Sequence, residues 1–258
     1  MPYAAANGLN QYYEEEGSGP PLVMLNGAFG AIDSTYNSWW ALRTFLAQRF
    51  RVVHVEARAH GRTDNPGGRD SYTTPTLAAD IAALIELLDL APAHLVGFSL
   101  GGIVGLELAL VHPQVVRSVV GIGAFYMEDA KTLVGLHGFD LDRVEQENPD
   151  WAADLARRHD PHHGPGHWRD LLRWNTTPEV HPHTAEDLER ITVPTLWIAG
   201  DDDPFFELDQ LVTMKRRIPG AELLIVNHAV HSVHGSHPHI VGPAIMDFLT
   251  RVDEQRRQ

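Results

Sequence analysis

The stretch VGFSLGG at residues 96–102 joins an apolar segment to a helical pattern through a glycine-rich turn. A serine on a tight turn from a strand into a helix has a strained backbone that projects its hydroxyl out of the sheet. Gly97 and Gly101, two residues either side of Ser99, leave room for such a turn. The helix also directs its N-terminal amides to where negative charge would develop during catalysis. Ser99 is therefore a candidate nucleophile, and the alternative is a glycine-rich turn with an incidental serine.

Around this turn, short β-rich runs alternate with helical patterns. The runs are apolar and bounded by Gly, Pro or charged residues, as is typical of buried parallel strands. They cover residues 21–25, 51–55, 94–98, 119–122 and 194–199. Between the second and third runs, helical spacing relates Leu77, Ile81, Leu84, Ile85 and Leu88. The alternation predicts an α/β fold with a doubly wound, mostly parallel sheet and helices on both faces.

Residues 125–190 interrupt this alternation. They are rich in His, Pro, Asp and Trp and contain no clear strand. Long irregular insertions in compact domains are typically lids or binding loops. We therefore expect residues 1–124 and 191–258 to form the core of the protein, and residues 125–190 to form an inserted helical lid.

Composition limits the partners that the protein can have. A chain of 258 residues with 43% hydrophobic residues can bury one large core, and its formal charge of −14 disfavours nucleic acid and anionic membranes. Cysteine is absent, which excludes disulfides and thiolate chemistry and favours a cytoplasmic location. We expect no signal peptide, because the chain does not start with a basic stretch followed by an apolar one, and no transmembrane helix, because no run of 18 apolar residues occurs. The oligomeric state stays open.

Three segments in the first half of the chain follow a familiar order. LNGAFG at residues 25–30 follows the first apolar run, EARAHGRT at residues 56–63 follows the second, and GFSLG follows the third. In this order the chain resembles the α/β-hydrolase fold family over nearly its whole length, particularly its serine-dependent carboxylesterases and enol-lactonases. The sequence departs from the commoner pattern at Asn26, Glu56 and Ala59, where His, Asp and Gly are usual. The resemblance implies an oxyanion hole formed by the backbone amides of Ala28 and Leu100.

The resemblance also implies an acidic residue after a later strand. WIAGDDDPF at residues 197–205 is similar to the family's strand-G-x-x-D-P segment, which aligns Asp203 with the acid of a catalytic triad. Asp201 and Asp202 are interpreted as turn residues. Glu128 stays an alternative acid, because some hydrolases carry this residue after the preceding strand.

Histidines are concentrated in NHAVHSVHGSHPH at residues 227–239. A serine hydroxyl needs a base to take its proton, and in the family this base lies between the last strand and the last helix. With residues 222–226 as that strand and a helix beginning at His237 and Pro238, His231 and Ser232 match the family's G-H-S motif, with Val230 in place of the usual glycine, so the resemblance implies that His231 is the base. The resemblance therefore predicts a triad of Ser99, Asp203 and His231.

The remaining histidines are expected at the surface or, for His237, at the start of a helix. Four ligands spaced by three along an irregular loop match no zinc pattern, so we expect no metal and no cofactor. The residues interpreted as surface are His228 and His234 in the loop and, in the lid, His159, His162, His163 and His167.

A serine at position 99, rather than a carboxylate, favours acyl chemistry. The leading hypothesis is hydrolysis of a carboxylic ester or lactone, with a small hydrophobic molecule as the substrate. Alternatives on the same triad are a C–C bond hydrolase, a cofactor-free perhydrolase or a lyase. A ligand receptor with little turnover is a further alternative.

Apolar residues of the lid and the oxyanion loop could wall a substrate pocket. The candidates for direct substrate contact are Phe29, Phe125, Met127, Trp151, Trp168 and Trp174, with Leu133, Leu136 and Phe139 as further lid residues. The alternative for each lid residue is that it belongs to the lid's own core.

Overall fold

The computed structural model describes residues 3–33, 39–136, 139–176 and 183–256 of the chain. In this part of the chain, eight strands form one sheet. They are β1 (Tyr3–Ala6), β2 (Leu9–Glu16), β3 (Pro21–Leu25), β4 (Arg51–Val55), β5 (Ala93–Phe98), β6 (Val116–Ile122), β7 (Thr195–Gly200) and β8 (Glu222–Val226). Their order across the sheet is β1-β2-β4-β3-β5-β6-β7-β8. β2 is antiparallel to β1 and β4, and the other neighbours are parallel, which confirms the mostly parallel sheet.

Helices cover both faces of this sheet. In chain order they are α1 (Trp39–Leu46), α2 (Thr74–Leu87), α3 (Leu100–Val111), α4 (Ala130–Leu136), α5 (Leu141–Glu147), α6 (Pro149–His163), α7 (His167–Asn175), α8 (Leu208–Arg217), α9 (Val233–Ser236) and α10 (Pro238–Gln255). α2, α3 and α8 share one apolar cluster, and α1, α9 and α10 share the other. Among the described residues, none of the helices combines the length and apolar character needed to cross a membrane.

Strand β3 illustrates why the sheet is covered on both sides. Leu22 and Met24 point into the cluster of α1 and α10, whereas Val23 and Leu25 point into the cluster of α2 and α3. Successive side chains of a strand alternate between faces, so a continuous apolar run needs a packed layer on each face. This is the doubly wound arrangement that the sequence predicts.

The five predicted runs correspond to β3 through β7, and residues 222–226 form β8 as expected. The N-terminal strands β1 and β2 were not predicted. β2 reads LNQYYEEE, and its acidic residues face solvent or pair with basic residues of the neighbouring elements. Glu14 accepts a hydrogen bond of 2.7 Å from Arg43, and Glu15 accepts one of 2.7 Å from Arg51. A polar strand near the sheet edge lacks the apolar periodicity on which the prediction depends.

Helices α4 to α7 lie between β6 and β7, and we call this segment the insertion. Among its described residues it contains helices and no strand, as predicted for residues 125–190. Residues 137–138 and 177–182 of the predicted lid lie outside the described ranges. Since β6 and β7 are adjacent in the sheet, the insertion leaves and re-enters the core at one place.

Candidate active site

Ser99 lies between the end of β5 and the start of α3, in the strained conformation that the motif predicts. Its backbone has φ 50° and ψ −118°, and its amide donates a 2.8 Å hydrogen bond to the carbonyl of Ile122. A positive φ is unfavourable for a residue with a side chain, so the surrounding structure must hold it. The turn therefore presents the serine at the carboxyl end of a central strand.

The glycines beside Ser99 are required by close backbone contacts. A Cβ atom on Gly97 would collide with the carbonyl of Gly101, and one on Gly101 would collide with the carbonyl of Leu25. Helix α3 consequently packs against the sheet more closely than any other residue type at these positions would allow.

His231 and Asp203 are paired at the same end of the sheet. His231 follows β8, and its Nδ1 lies 2.8 Å from Oδ2 of Asp203, which follows β7. A carboxylate only accepts hydrogen bonds, so Nδ1 carries the proton and Nε2 keeps its lone pair. Asp203 is buried, and its Oδ1 accepts a 3.0 Å hydrogen bond from the amide of Phe205. The pair leaves the imidazole in the tautomer that a general base needs.

The neighbouring aspartates serve the turn, as interpreted from the sequence. Oδ1 of Asp201 accepts a 3.2 Å hydrogen bond from the amide of Ala229, and the carbonyl of Ala229 accepts a 3.0 Å bond from the amide of Asp202. The alternative acid, Glu128, is half-buried at the start of the insertion, where burial raises the pKa of its carboxyl. The carboxylate that contacts His231 is that of Asp203.

The loop that carries Ala28 is a tight turn. The amide of Gly30 donates a 3.0 Å hydrogen bond to the carbonyl of Gly27, and the amide of Phe29 donates a 3.2 Å bond to Nε2 of His60. Leu100 is the first residue of α3, so its amide has no acceptor within the helix. Ala28 and Leu100 both line the cavity that contains Ser99. Their predicted role as oxyanion donors requires this position.

Two departures from the family pattern have identifiable structural effects. Ala59, where glycine is usual, has φ 67°, a conformation that glycine adopts without a steric cost. Glu56 is fully buried and accepts hydrogen bonds from the amides of Ile32, at 3.0 Å, and Arg62, at 2.6 Å. The longer acidic side chain thus holds the segment that follows β4.

The candidate residues meet at one cavity of about 240 Å³. Of the residues predicted to contact substrate, Phe29, Phe125 and Trp151 line this cavity. Trp168 is buried in the core of the insertion, and Trp174 packs against Tyr72 and His167. Met127 is 39% exposed, and it lies outside the residues that line the cavity, as do both of these tryptophans.

Several lining residues were not predicted from the sequence. The aromatic ones are Phe98 and Phe205, which stand next to Ser99 and close to Asp203 in the chain, so the motifs themselves contain the missed signal. The polar ones are Thr132, Arg158, Asn175, Ser232 and His234. The cavity wall is therefore mainly apolar, with several aromatic rings and a few polar groups.

The expectation that His234 lies at the surface was wrong. The side chain is 3% exposed, and its ring lies 5.0 Å from the ring of Trp39 and 4.6 Å from that of Phe98. Helix α9 turns this residue inward, and burial lowers the pKa of its imidazole to about 3. His228 is exposed as expected, and His237 precedes the first turn of α10.

The histidines of the insertion were also only partly interpreted correctly. His162 is exposed, but His159 is fully buried and His167 is 9% exposed. Burial holds the pKa of His159 well below its usual value, and it lowers the pKa of the half-buried His163 to about 4. The two buried histidines bond to the backbone of the core, His159 to Phe29 and Gly61 and His167 to Ala59. Among the described residues, no three His, Asp or Glu side chains are grouped so that they could hold a metal ion.

Comparisons with known proteins identify the family and the fold of this chain. A sequence model described as the alpha/beta hydrolase fold matches residues 20–162. A relative from Azorhizobium caulinodans, provisionally named carbamate hydrolase RutD, is 26% identical over 273 residues, which cover 98% of this chain and 100% of that protein. A relative from Mycobacterium tuberculosis, provisionally named non-heme bromoperoxidase BpoC, is 40% identical over 114 residues, only 43% of this chain and 41% of that protein. The solved enol-lactonase from Burkholderia xenovorans LB400 has a TM-score of 0.76 and 23% identity, covering 96% of this chain and 100% of that one.

Proposed function

The chain belongs to the alpha/beta hydrolase fold family, and from that premise we propose that it hydrolyses a small carboxylic ester or lactone through an acyl-enzyme on Ser99. The observation that carries this proposal is the 2.8 Å contact between His231 and Asp203, with His231 and Ser99 lining the same cavity. A base oriented by a buried carboxylate beside a strained serine is the arrangement that acyl transfer requires.

In the proposed reaction, Nε2 of His231 takes the proton of the Ser99 hydroxyl while the oxygen attacks the substrate carbonyl. The amides of Ala28 and Leu100 donate hydrogen bonds to the oxyanion that forms. His231 then returns the proton to the leaving alcohol, and the acyl group stays on Ser99. In a lactone this alcohol remains attached to the acyl chain. In the second half of the reaction, Nε2 of His231 takes a proton from water while the water oxygen attacks the acyl-enzyme. The proton then passes to the oxygen of Ser99, and the acid is released.

Asp203 orients the base and stabilises the imidazolium ion. Its side chain is fully buried, and the hydrogen bond from Phe205 fixes the oxygen that does not face His231. A carboxylate in this position holds the proton on Nδ1, so that Nε2 keeps the lone pair that can take the proton of the nucleophile.

The cavity favours a small substrate with an apolar or aromatic acyl group. Its volume of about 240 Å³ is below the roughly 300–1,000 Å³ of pockets for drug-sized ligands. Its apolar wall consists largely of the rings of Phe29, Phe98, Phe125, Phe139, Trp151 and Phe205. Phe139 and Trp151 belong to the insertion, so we propose that residues 125–190 act as a lid on a core formed by the rest of the chain.

Two of the relatives suggest further substrates for testing. The relative named as a carbamate hydrolase aligns with almost the whole chain, and a carbamate ester offers the same kind of carbonyl to Ser99. The relative named as a bromoperoxidase favours a second candidate function, cofactor-free perhydrolysis. In that reaction hydrogen peroxide replaces water as the attacking group, and the products are a peracid and free Ser99.

A substrate panel tests the proposal directly. We expect p-nitrophenyl esters of short or aryl acids to have the highest kcat/KM, with long acyl chains excluded by the cavity, and lactones and aryl carbamates are measured beside them. Ser99→Ala removes the reacting oxygen and is expected to abolish turnover with an unchanged circular-dichroism spectrum. Esterase activity above about a thousandth of the parent rate in this variant contradicts the assignment of the nucleophile.

The perhydrolase candidate needs one additional assay. Bromination of phenol red is followed in the presence of acetate, bromide and hydrogen peroxide. Product that forms with the parent protein but not with Ser99→Ala supports peracid formation on the acyl-enzyme. Hydrolysis without any bromination leaves the ester or lactone hydrolase as the function.

A further inference from the structure

We propose that Arg158 and His159, on helix α6 of the insertion, are positioning residues that hold the oxyanion loop in its working conformation. This inference rests on the proposed function, because it assumes that the amide of Ala28 binds the oxyanion. Its basis is a set of hydrogen bonds that join the insertion to residues 27–30 and to the turn at residues 58–61.

The oxyanion loop is strained and needs external support. Residues 27–30 form a four-residue turn, in which the amide of Gly30 donates a hydrogen bond to the carbonyl of Gly27. Phe29, the third residue of this turn, has φ 67°. A positive φ at the third position alone is the pattern of a type II turn, which usually places glycine there. A phenylalanine in this conformation is unfavourable by about 1–3 kcal/mol. If Phe29 relaxed to a negative φ, the peptide plane between Ala28 and Phe29 would rotate, and Ala28, which is joined to that plane, would no longer be held at its position in the turn.

The insertion holds Phe29 through its carbonyl. Nη1 of Arg158 donates a 2.6 Å hydrogen bond to this oxygen, and Nε2 of His159 donates another at 3.2 Å. On the other side of the residue, the Phe29 amide donates to Nε2 of His60. Both backbone groups of the strained residue therefore have partners that fix their direction.

The tautomers of the two histidines agree with these roles. Nδ1 of His159 accepts a 2.9 Å hydrogen bond from the amide of Gly61, so its proton lies on Nε2, which faces Phe29. Nδ1 of His60 donates a 2.9 Å bond to the carbonyl of Arg58, which leaves Nε2 as the acceptor for Phe29. Each ring thus makes one donating and one accepting contact, and neither can be replaced by a purely apolar residue without loss.

These bonds are buried, which makes them costly to remove. The side chain of Arg158 is 1% exposed, and that of Asp154, its ionic partner at 2.8 Å, is 9% exposed. His159 is fully buried, and Nε2 of His167 adds a 2.8 Å bond to the carbonyl of Ala59. A buried polar group left without a partner costs about 1–3 kcal/mol. The turn, the oxyanion loop and the insertion consequently act as one connected unit.

The kinetic consequence differs from that of an ordinary lid contact. The oxyanion exists only in the tetrahedral intermediate and the transition states that lead to it, so a displaced Ala28 amide weakens binding of those states and leaves binding of the substrate almost unchanged. Loss of the Arg158 and His159 contacts should therefore lower kcat with little effect on KM.

The test compares three substitutions on one helix. His159→Leu removes both contacts, His159→Gln offers an amide that can donate and accept, and His162→Ala changes an exposed histidine nearby as the control. With the best ester of the panel, we expect His159→Leu to lower kcat roughly 30- to 300-fold, with KM within about threefold of the parent value. His159→Gln should recover at least about tenfold of that loss, and His162→Ala should resemble the parent.

A second readout separates positioning from a purely structural effect. A trifluoromethyl ketone matching the ester forms a tetrahedral adduct with the serine and places its oxygen in the oxyanion hole, whereas the product acid does not form one. Affinity for the ketone should fall in proportion to kcat in His159→Leu, and affinity for the acid should not. Parental kcat in folded His159→Leu, or a rise in KM alone, overturns the inference.

If His159→Leu does not fold, Arg158→Met gives the same test. Asp154 then keeps its 2.9 Å ionic contact with Arg157, so no carboxylate is left unpaired. Parental kcat in Arg158→Met overturns the inference, and a fall in kcat that the ketone affinity follows supports it. If the parent protein itself has no esterase activity that depends on Ser99, the proposed function fails, and this outcome is recognised before any variant of α6 is measured.

Discussion

His231 and His234 pack against the same aromatic ring, that of Phe98. The ring of Phe98 is 4.9 Å from that of His231 and 4.6 Å from that of His234, although among the described residues only His231 of these two has a carboxylate partner. The two histidines are three residues apart in the chain, yet one is paired with Asp203 and the other is packed inside the protein.

Substitution of two histidines in this loop tests which of them is the base. His231→Ala is expected to lower kcat roughly 10⁴-fold, because the members of a triad act as one unit. His228→Ala changes an exposed side chain and should alter kcat less than about tenfold. Steady-state kinetics on one ester decide the matter. If His228→Ala is the more damaging of these two substitutions, His231 is not the base.

The acid is tested by comparing two adjacent aspartates. Asp203→Asn should reduce kcat by roughly 10⁴-fold, since a neutral amide can hold the imidazole in the wrong tautomer. Asp202→Asn changes an exposed turn residue, and we expect nearly parental kinetics. Equal losses in the two variants would favour another acid, and Glu128→Gln is then the next substitution to measure.

Buried histidines should make the protein sensitive to acid. Burial lowers the pKa of several imidazoles below the usual 6.5: to about 3 for His54 and His234, to about 4 for His60, His94 and His163, and well below 6.5 for His159. Between pH 6.5 and about pH 4, the unfolded chain binds protons that the folded protein does not bind. The free energy of unfolding therefore falls as the pH decreases through this range, by about 1.4 kcal/mol per pH unit for each fully buried histidine.

Urea unfolding at about pH 7.5 and about pH 5.5 measures this dependence. Nδ1 of His234 has no hydrogen-bond partner among the described residues, and the ring packs between aromatic residues, so His234→Phe is the variant of choice. Between these two pH values, its total loss of stability should be smaller than that of the parent by about 1.4 kcal/mol, because the unfolded imidazole gains its proton only as the pH falls below about 6.5. His228→Gln, at an exposed position, should leave the slope unchanged. Identical slopes for His234→Phe and the parent would rule out this source of acid sensitivity.

Glycine substitutions test the close contact between α3 and the sheet. Gly97→Ala places a methyl group against the carbonyl of Gly101, so we expect either a protein that does not fold or one with at least about a hundredfold lower kcat/KM. Gly242 lies in α10, and in Gly242→Ala the new methyl group makes only ordinary contacts, the shortest of them 3.4 Å to Phe45 of α1. That control should gain about 0.5–1 kcal/mol of stability. Full activity in Gly97→Ala would show that the turn can widen.

The fold was largely predictable because its strands are buried on both faces. Continuous apolar runs such as residues 21–25 indicate their own conformation, whereas the polar β2 depends on pairing with β4 and gives no local signal. The candidate triad of Ser99, Asp203 and His231 was predicted from short motifs, each of which follows a strand.

Contacts between distant segments could not be predicted in this way. His159 and Arg158 reach Phe29, which is about 130 positions away, and nothing in the sequence near either segment specifies that approach. The interpretation of His234 failed for a related reason, because a three-residue spacing along an irregular loop does not reveal that α9 turns inward. Burial of a polar side chain depends on its tertiary neighbours, which the one-dimensional pattern does not contain.

The single connection between β6 and β7 makes the insertion exchangeable in principle. A segment grafted from a related hydrolase would bring a new substrate wall while the strands, Ser99 and the base remained in place. Because α6 also carries Arg158 and His159, such a chimera would have the substrate wall of its donor but would lose the two side chains that bond to the carbonyl of Phe29. A chimera should therefore keep these two side chains while the rest of the insertion is exchanged. Substrate specificity can then be changed independently of the catalytic rate.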